Sequence, residues 1–153
     1  QETPYLLERL KDRSARVGVV GIGYVGLPSM VAIAEAGFRV TGIDSDESRV
    51  ALINAGESYI EDVDKALLAN LVHAEKISAT TSYQAIRDLD VVLVCVPTPI
   101  TKHKEPDLEP LKAAITGIAA NMRREQLLVL QSTTCPGTTQ EFVLPSWRKP
   151  GSR

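Results

Sequence analysis

The chain has 153 residues, 44% of them hydrophobic and 24% charged, which is the composition of one ordinary globular domain. Its formal net charge of -2 gives no basic surface for a polyanion, so nucleic acid is not an expected partner. The apolar runs fall far short of the ~18 residues that a membrane span needs, so no membrane partner is expected.

The two cysteines, Cys95 and Cys135, form no C-x-x-C pair. This usage disfavours a disulfide framework and a zinc site, so no metal is predicted. Because no signal peptide opens the sequence, a reducing, cytoplasmic location is predicted. Cys95 lies in an apolar run and is interpreted as a core residue, whereas Cys135, His73 and His103 are interpreted as side chains without a catalytic or ligand role.

β-Branched and apolar runs alternate with helical periodicities along the chain. A short helix through Leu10 is predicted after Thr3-Pro4, because proline suits the first helical turn. The predicted strands are 16–20, 38–43, 77–80, 90–96 and 127–130. The predicted helices run from Tyr24 or Val25 to Ala36, from Ser45 or Asp46 to Gly56, through 63–72, through 82–89, from a cap at Asp107 through Ile118, and through 138–144.

Strands that alternate with helices predict an α/β fold, a Rossmann-type doubly wound parallel sheet. The usual dinucleotide-binding fold has six strands in the order 3-2-1-4-5-6, and this sequence provides five. A sixth strand is therefore expected after Arg153, as in a chain truncated before it. The predicted organisation is an N-terminal helical segment at 1–15, the Rossmann domain at 16–145, and a basic, frayed tail at 146–153.

A G-x-G-x-x-G pattern formed by Gly21, Gly23 and Gly26 follows the first predicted strand and opens a helix. Gly21 permits the tight turn, Gly23 lets the main chain approach a pyrophosphate, and Gly26 lets helix and strand pack closely. Pro28 requires the helix to begin just before it, which leaves unpaired amides beside the glycines. Such amides bind a phosphate group at the positive end of the helix dipole.

Asp44 ends the second predicted strand, 18 residues after Gly26 and close to the ~20 expected for the ribose-binding acid. Its carboxylate is predicted to accept hydrogen bonds from the adenosine ribose and to disfavour the extra phosphate of NADP, so NAD is the predicted cofactor. Ser45 and Asp46 offer no cation that would compensate. The alternatives are that Asp44 only caps the next helix, and that Arg49, a candidate contact to adenine or ribose, is only a solvated helix residue.

Two further segments follow strands that flank the expected switch point of the sheet. Val96, Pro97 and Thr98 end the fourth strand, and Ser132 and Thr133 follow the fifth. Because ligands bind beyond the carboxyl ends of parallel strands, both segments are predicted to line the nicotinamide side of the cleft. The alternative for each threonine is a local hydrogen bond to its own backbone.

Four segments together resemble the UDP-glucose/GDP-mannose dehydrogenase family, the nucleotide-sugar dehydrogenases. They are the glycine turn from Gly21 to Leu27 with its Tyr24-Val25 pair, Gly42-Ile43-Asp44, the run from Cys95 to Pro99, and the run from Ser132 to Thr139. The resemblance extends from Arg16 to Pro145. The stretches at 58–63 and 105–108 are most similar to the UDP-N-acetylhexosamine 6-dehydrogenase branch.

The resemblance implies an enzyme of polysaccharide biosynthesis, a homo-oligomer when full length, that oxidises the C6 alcohol of a UDP-sugar such as UDP-N-acetylglucosamine to a uronic acid in two NAD-dependent steps. It implies an auxiliary catalytic role for Thr133, which would help to position water. By matching motifs it implies cofactor contacts from Tyr24, Val25, Asp44, Arg49, Thr98 and Thr133. The family's catalytic cysteine, lysine and further acids would lie beyond residue 153, so this chain is expected to bind NAD but not to catalyse the oxidation alone.

Two other functions stay open from the residues. One is a stand-alone NAD-sensing module that regulates a partner. The other is the cofactor domain of a different NAD-dependent dehydrogenase, such as a 3-hydroxyacid type, which shares the glycine turn. The runs Cys95 to Pro99 and Ser132 to Thr139 favour the nucleotide-sugar enzyme over the latter.

Overall fold

The computed structural model describes residues 8–61, 63–96, 102–105, 107–122 and 126–131. After a helical turn at 8–11, the elements follow in alternation. They are β1 (Arg16–Val20), α1 (Gly26–Glu35), β2 (Arg39–Ile43), α2 (Glu47–Asn54), α3 (Lys65–His73), β3 (Ile77–Thr80), a 3₁₀-helix (Tyr83–Asp88), β4 (Val91–Val94), α4 (Glu109–Asn121) and β5 (Leu127–Leu130).

The five described strands form one parallel sheet in the order β3-β2-β1-β4-β5. This order confirms the predicted Rossmann-type α/β fold. The chain runs outward from β1 through β2 to β3, then returns to the other side of β1 for β4 and β5. The strand order therefore reverses between β1 and β4, and a ligand of such a sheet binds where these two strands end.

Two apolar clusters cover the two faces of the sheet, because successive strand side chains point to opposite faces. Val19 and Leu93 belong to the cluster under α1 and α3, whereas Val20 and Val92 belong to the cluster under α4 and the 3₁₀-helix. The helix residues that complete the first cluster are Leu27, Met30, Val31, Ala34, Ile53 and Leu68, and those that complete the second are Ile86, Leu111, Ala114, Ile115 and Ile118. The central strands β1 and β4 are thus buried on both faces, as their apolar runs predict, whereas the edge strands β3 and β5 are only partly buried.

The strand boundaries agree closely with those predicted, and β1, β3 and β5 have the predicted bounds. The assigned β4 is shorter than the predicted 90–96. Backbone bonds nevertheless continue beyond both of its ends: the Asp90 amide donates to Arg16 O at 2.8 Å and the Cys95 amide to Val20 O at 2.7 Å. The fourth strand therefore holds β1 over a longer stretch than its assigned length.

The starts of α3 and α4 differ from the predicted ones. The pattern at 63–72 places Val63 in the helix, but α3 begins at Lys65, because the Asp64 carboxylate accepts the Ala66 amide at 2.9 Å and so caps it. Val63 is buried just ahead of that cap. Asp107 accepts the Glu109 amide at 3.0 Å, as a capping residue does, although α4 itself starts at Glu109. The predicted features at 1–7, 97–101 and 132–153, including the helix at 138–144, lie outside the described residues.

Asp90, just before β4, links the amino ends of β1 and β4 by a hydrogen bond, at the end of the sheet remote from the glycine turn. Its side chain is 1% exposed. One carboxylate oxygen accepts the Arg16 amide at 2.8 Å and the other lies 3.4 Å from an Arg9 nitrogen. Arg9 also donates to the Ser14 carbonyl at 2.7 Å, so the N-terminal segment is attached to the sheet through this carboxylate.

Asp90→Ala should lower the free energy of unfolding by about 2 kcal/mol, because it leaves the Arg16 amide and Arg9 without their charged acceptor. Urea denaturation measures the change. Asp88→Ala is the matched control, since Asp88 is exposed and only two residues away, and it should shift stability by less than about 0.5 kcal/mol. Equal losses in the two variants would contradict the anchoring role of Asp90.

Candidate dinucleotide-binding site

The turn after β1 requires glycine at residue 21. Gly21 has φ +94°, and its amide donates to the Ile43 carbonyl at 2.8 Å. A Cβ at this position would lie 2.9 Å from both the carbonyl carbon and oxygen of Cys95, and 3.1 Å from the Val96 nitrogen. The turn is therefore pressed against the carboxyl end of the fourth strand, at the switch point of the sheet.

Helix α1 starts directly over this turn. A Cβ at Gly26 would lie 1.8 Å from the Gly21 carbonyl oxygen, a distance that no side chain permits. The helix begins at Gly26, so the predicted start at Tyr24 or Val25 is one or two residues early. Pro28 lies in the first turn, as predicted. Gly26 thus allows the close packing of helix and strand that the motif predicts.

The start of α1 presents a row of backbone donors without acceptors. Within the part of the chain that the structure describes, the amides of Gly23, Tyr24, Val25 and Gly26 donate to no protein atom. No side chain caps the helix, and its first turn contains no acidic residue. A Cβ at Gly23 would make only an ordinary van der Waals contact, with an Arg49 side-chain nitrogen at 3.7 Å. This arrangement is suited to a phosphate group, which the amides and the helix dipole would bind together.

Asp44 stands beside the turn and already holds two backbone amides. Its Oδ2 accepts the Ile22 amide at 2.8 Å and its Oδ1 accepts the Asp46 amide at 2.9 Å. The side chain is 11% exposed. An ionised carboxylate has about four acceptor positions, so each oxygen keeps a lone pair for a ribose hydroxyl. Asp44 is not the cap of α2; Asp46 is, accepting the amides of Ser48 and Arg49.

Arg49 lies between the two carboxylates of this corner. Its Nη1 is 3.6 Å from Asp44 Oδ2, and its Nε is 3.7 Å from Asp46 Oδ2. Hydrogen bonds from the Ser48 hydroxyl and then the Arg49 amide hold the pKa of Asp46 below its usual range. Arg49 is therefore more than a solvated helix residue. Ser45 and Asp46 carry no positive charge, but Arg49 places one next to Asp44.

Tyr59 is a neighbour of the turn that the sequence analysis does not predict. Its hydroxyl donates to the Ile22 carbonyl, between Gly21 and Gly23. The Arg49 guanidinium lies over its ring, 5.7 Å from the ring centroid. Nothing in the periodicity of a loop 37 residues from Ile22 points to this contact.

The entrance of the site exposes apolar surface. Three large hydrophobic side chains are exposed in the described ranges, and two of them, Tyr24 at 83% and Val25 at 50%, lie at the start of α1. Exposed apolar groups beside unpaired amides are typical of a surface that a ligand covers.

The nicotinamide side of the predicted site is described only at Val96, which is buried and adjoins Gly21. Pro97, Thr98, Ser132 and Thr133 lie outside the described residues, and their roles stay predictions. A cavity of about 450 Å³ opens at the opposite end of the sheet, where Arg16, Arg39 and Ile77 begin their strands. No residue of the glycine turn contributes to its described lining, so it is a separate feature.

Cys95 is a core residue, as predicted: it is buried, and burial raises the pKa of its thiol to about 11. Cys135 lies outside the described residues. Among those that are described, no group of three or more His, Cys, Asp or Glu side chains is placed to hold a metal ion. None of the described helices combines the length and the apolar character needed to cross a bilayer.

The sheet order, the glycine turn and the acid after β2 define a dinucleotide-binding domain of the Rossmann class. Within that class, the model of the NAD-binding domain of the UDP-glucose/GDP-mannose dehydrogenase family matches residues 15–152. The chain belongs to this family and is an NAD-binding domain of it.

Individual relatives support the same family assignment. The chain is 36% identical over 137 residues to UDP-N-acetyl-D-glucosamine 6-dehydrogenase from Pseudomonas aeruginosa, covering 90% of this chain and 32% of the relative. It is 33% identical over 130 residues to UDP-N-acetyl-D-mannosamine dehydrogenase from Pyrococcus horikoshii, covering 84% and 31%. Among solved structures it is similar to a ternary complex of GDP-mannose dehydrogenase from Pseudomonas aeruginosa, with a TM-score of 0.81, 32% identity and coverage of 86% and 31%. The chain thus spans about a third of the length of these proteins.

Two glycine variants should separate the folding role of the turn from its binding role. Gly26→Ala should destabilise the domain as well as impair NAD binding, because its methyl group collides with the Gly21 carbonyl. Gly23→Ala should leave the free energy of unfolding within about 0.5 kcal/mol, since its methyl group would contact only an Arg49 nitrogen, at 3.7 Å and without a clash. That methyl group would occupy the approach of a diphosphate, so NAD affinity should fall about tenfold.

Thermal unfolding and isothermal titration calorimetry with NAD measure the two effects on each protein. A folded Gly23→Ala protein with unchanged NAD affinity would mean that the diphosphate does not lie over this turn.

Proposed function

We propose that this chain provides the NAD site of a nucleotide-sugar 6-dehydrogenase that oxidises the C6 alcohol of a UDP-sugar to a uronic acid in two NAD-dependent steps. UDP-N-acetylglucosamine, or a similar UDP-sugar, is the proposed substrate, supported by the names of the relatives. The observation that carries the proposal is the row of four amides, Gly23 to Gly26, that find no acceptor among the described residues and lie beside the Asp44 carboxylate. The family match favours this function over a stand-alone sensing module and over another class of dehydrogenase.

In the proposed binding mode, the amides of Gly23 to Gly26 hold the diphosphate of NAD. Asp44 accepts hydrogen bonds from the adenosine ribose through its remaining lone pairs, and Arg49 borders the adenosine. Tyr24 and Val25 contact the bound dinucleotide through their exposed side chains. Bound NAD would accept the hydride that leaves C6 of the sugar.

The carboxyl ends of the fourth and fifth strands would then hold the nicotinamide. Val96 adjoins the turn, which supports its place in the site. For Pro97, Thr98, Ser132 and Thr133 the support is the position in the chain after these two strands and the family resemblance. Thr133 is proposed as an auxiliary catalytic residue that helps to position water.

We propose that the charges of Asp44, Asp46 and Arg49 make the site selective for NAD over NADP. Asp44, Asp46 and Arg49 together carry one net negative charge, and the 2′-phosphate of NADP would meet it. At about 4 Å, like unit charges repel by ~1 kcal/mol in water and ~4 kcal/mol near a protein surface. The Arg49 charge offsets part of this repulsion.

For the whole protein we propose a homo-oligomer in the cytoplasm, with the Rossmann domain at 16–145. The free, buried Cys95 thiol supports a reducing compartment. Because the relatives are about three times as long, the 153-residue chain should bind NAD but not oxidise a sugar alone.

A protein that contains this chain and has the full length of its relatives tests this function directly. Supplied with NAD and UDP-N-acetylglucosamine, such a full-length protein should form two molecules of NADH per sugar, and the 153-residue chain should form none. Parallel reactions with UDP-N-acetylmannosamine and UDP-glucose rank the substrates. If NADH forms with none of these UDP-sugars, the proposed activity is wrong.

Asp44→Asn should weaken NAD binding at least about fivefold, because the amide replaces one of the charged acceptors that face the ribose. It should also narrow the difference between the affinities for NAD and NADP. Asp46→Asn makes the same chemical change two residues away and preserves a capping side chain, so it serves as the matched control for NAD affinity and should leave that affinity within about twofold. Calorimetry with NAD and with NADP measures both affinities of each variant. Equal losses of NAD affinity in the two variants would rule out a specific ribose contact at Asp44.

A further inference from the structure

Ile22, between Gly21 and Gly23 in the glycine turn, is held by its side chain, its amide and its carbonyl. The Ile22 side chain is fully buried. Its amide donates to Asp44 Oδ2 at 2.8 Å. Its carbonyl accepts the hydroxyl of Tyr59, a half-buried side chain from the loop before α3. The main chain of Ile22 is therefore held by two side chains from different segments, Asp44 after β2 and Tyr59 before α3.

The contact with Tyr59 sets the direction of the next amide. The peptide group between Ile22 and Gly23 is planar and trans, so its carbonyl and its N–H point in opposite directions. While Tyr59 holds the carbonyl on its own side, the Gly23 amide must point away from Tyr59. That amide is the first of the four that lack an acceptor in the described part of the chain.

The hydroxyl is protonated under ordinary conditions and can act as this donor. Burial raises the pKa of Tyr59 to about 12, so at neutral pH the group is a neutral phenol. A carbonyl oxygen requires a donor, and a phenolate would repel it.

The Tyr59 ring supports the other half of the site. The Arg49 guanidinium lies 5.7 Å from the ring centroid and 3.6 Å from Asp44 Oδ2. A cation over the face of an aromatic ring is attracted by the negative potential of that face. The hydroxyl of Tyr59 thus meets the turn under the diphosphate, and its ring meets the arginine beside the adenosine.

We propose that Tyr59 is a positioning residue for the coenzyme: its hydroxyl aims the Gly23 amide at the diphosphate, and its ring holds Arg49 at the adenosine corner. This inference rests on the proposed placement of NAD over the glycine turn. It assigns the two parts of one side chain to two parts of the ligand. A residue that only anchored its own loop would affect both parts alike.

The experiment uses Tyr59→Phe, which removes only the hydroxyl, and Tyr59→Leu, which also removes the ring. Tyr83→Phe is the matched control, because the Tyr83 side chain is also half-buried and makes no hydrogen bond within the described residues. Binding of NAD, ADP and adenosine to each protein is followed by calorimetry and by NMR titration, with the Gly23 amide resonance as the local probe.

Tyr59→Phe should weaken NAD and ADP about tenfold, leave adenosine within about twofold, and abolish the shift of the Gly23 amide on adding ADP. Tyr59→Leu should weaken adenosine as well, and Tyr83→Phe should change none of the three. Unchanged NAD affinity in a folded Tyr59→Phe protein overturns the inference. So does a loss that is equal for ADP and adenosine, or a Tyr59→Phe protein that no longer folds, because each of these indicates a loop anchor. Failure of the unsubstituted chain to bind NAD refutes the proposed placement itself.

Discussion

The close contact between the start of α1 and the turn after β1 is the constraint on which the site depends. The Gly26 Cα sits so near the Gly21 carbonyl that not even a methyl group fits between them. This contact sets the start of the helix against the turn, and within the described ranges the amides of Gly23 to Gly26 donate to no protein atom. Amides at the start of a helix are satisfied by water or by a bound anion.

The ends of neighbouring strands hold the glycine turn in position. The Gly21 amide bonds to the last residue of β2, Ile43, and the turn rests against the Cys95–Val96 peptide at the end of the fourth strand. Asp44, one residue beyond β2, then returns a carboxylate to the Ile22 amide. Three neighbouring parallel strands therefore end around one peptide segment, so the register of the sheet determines the geometry of the candidate site.

Sequence reasoning predicts the parts of this arrangement that depend on local pattern. Buried strands such as β1 and β4 are visible as apolar runs, and Gly21 and Gly26 are visible because their spacing is dictated by a turn and a helix start. Contacts between distant segments carry no such signal. The partners of Asp44 and the contact from Tyr59 depend on where a loop folds back, and periodicity contains no information about that. The start of α3 is wrong in the prediction because an apolar residue before the cap, Val63, continues the helical spacing.

The charges around the turn support the proposed place of Arg49 in the site. Asp44 bonds to the turn over which the diphosphate is proposed to lie, so its negative charge would oppose an anionic ligand if it stood alone. At an effective dielectric constant of 20, such a repulsion is about 4 kcal/mol at 4 Å, which is comparable to what several amide bonds supply. Arg49 lies 3.6 Å from that carboxylate and offsets its charge without occupying all of its acceptor positions. The carboxylate can thus accept from a diol while the turn beside it attracts a diphosphate. In the proposed binding mode, the diphosphate requires hydrogen-bond donors and the ribose requires a negatively charged acceptor. Tyr59 contacts the part of the protein that serves each of them: its hydroxyl bonds to the turn, and its ring lies against Arg49, which neutralises Asp44.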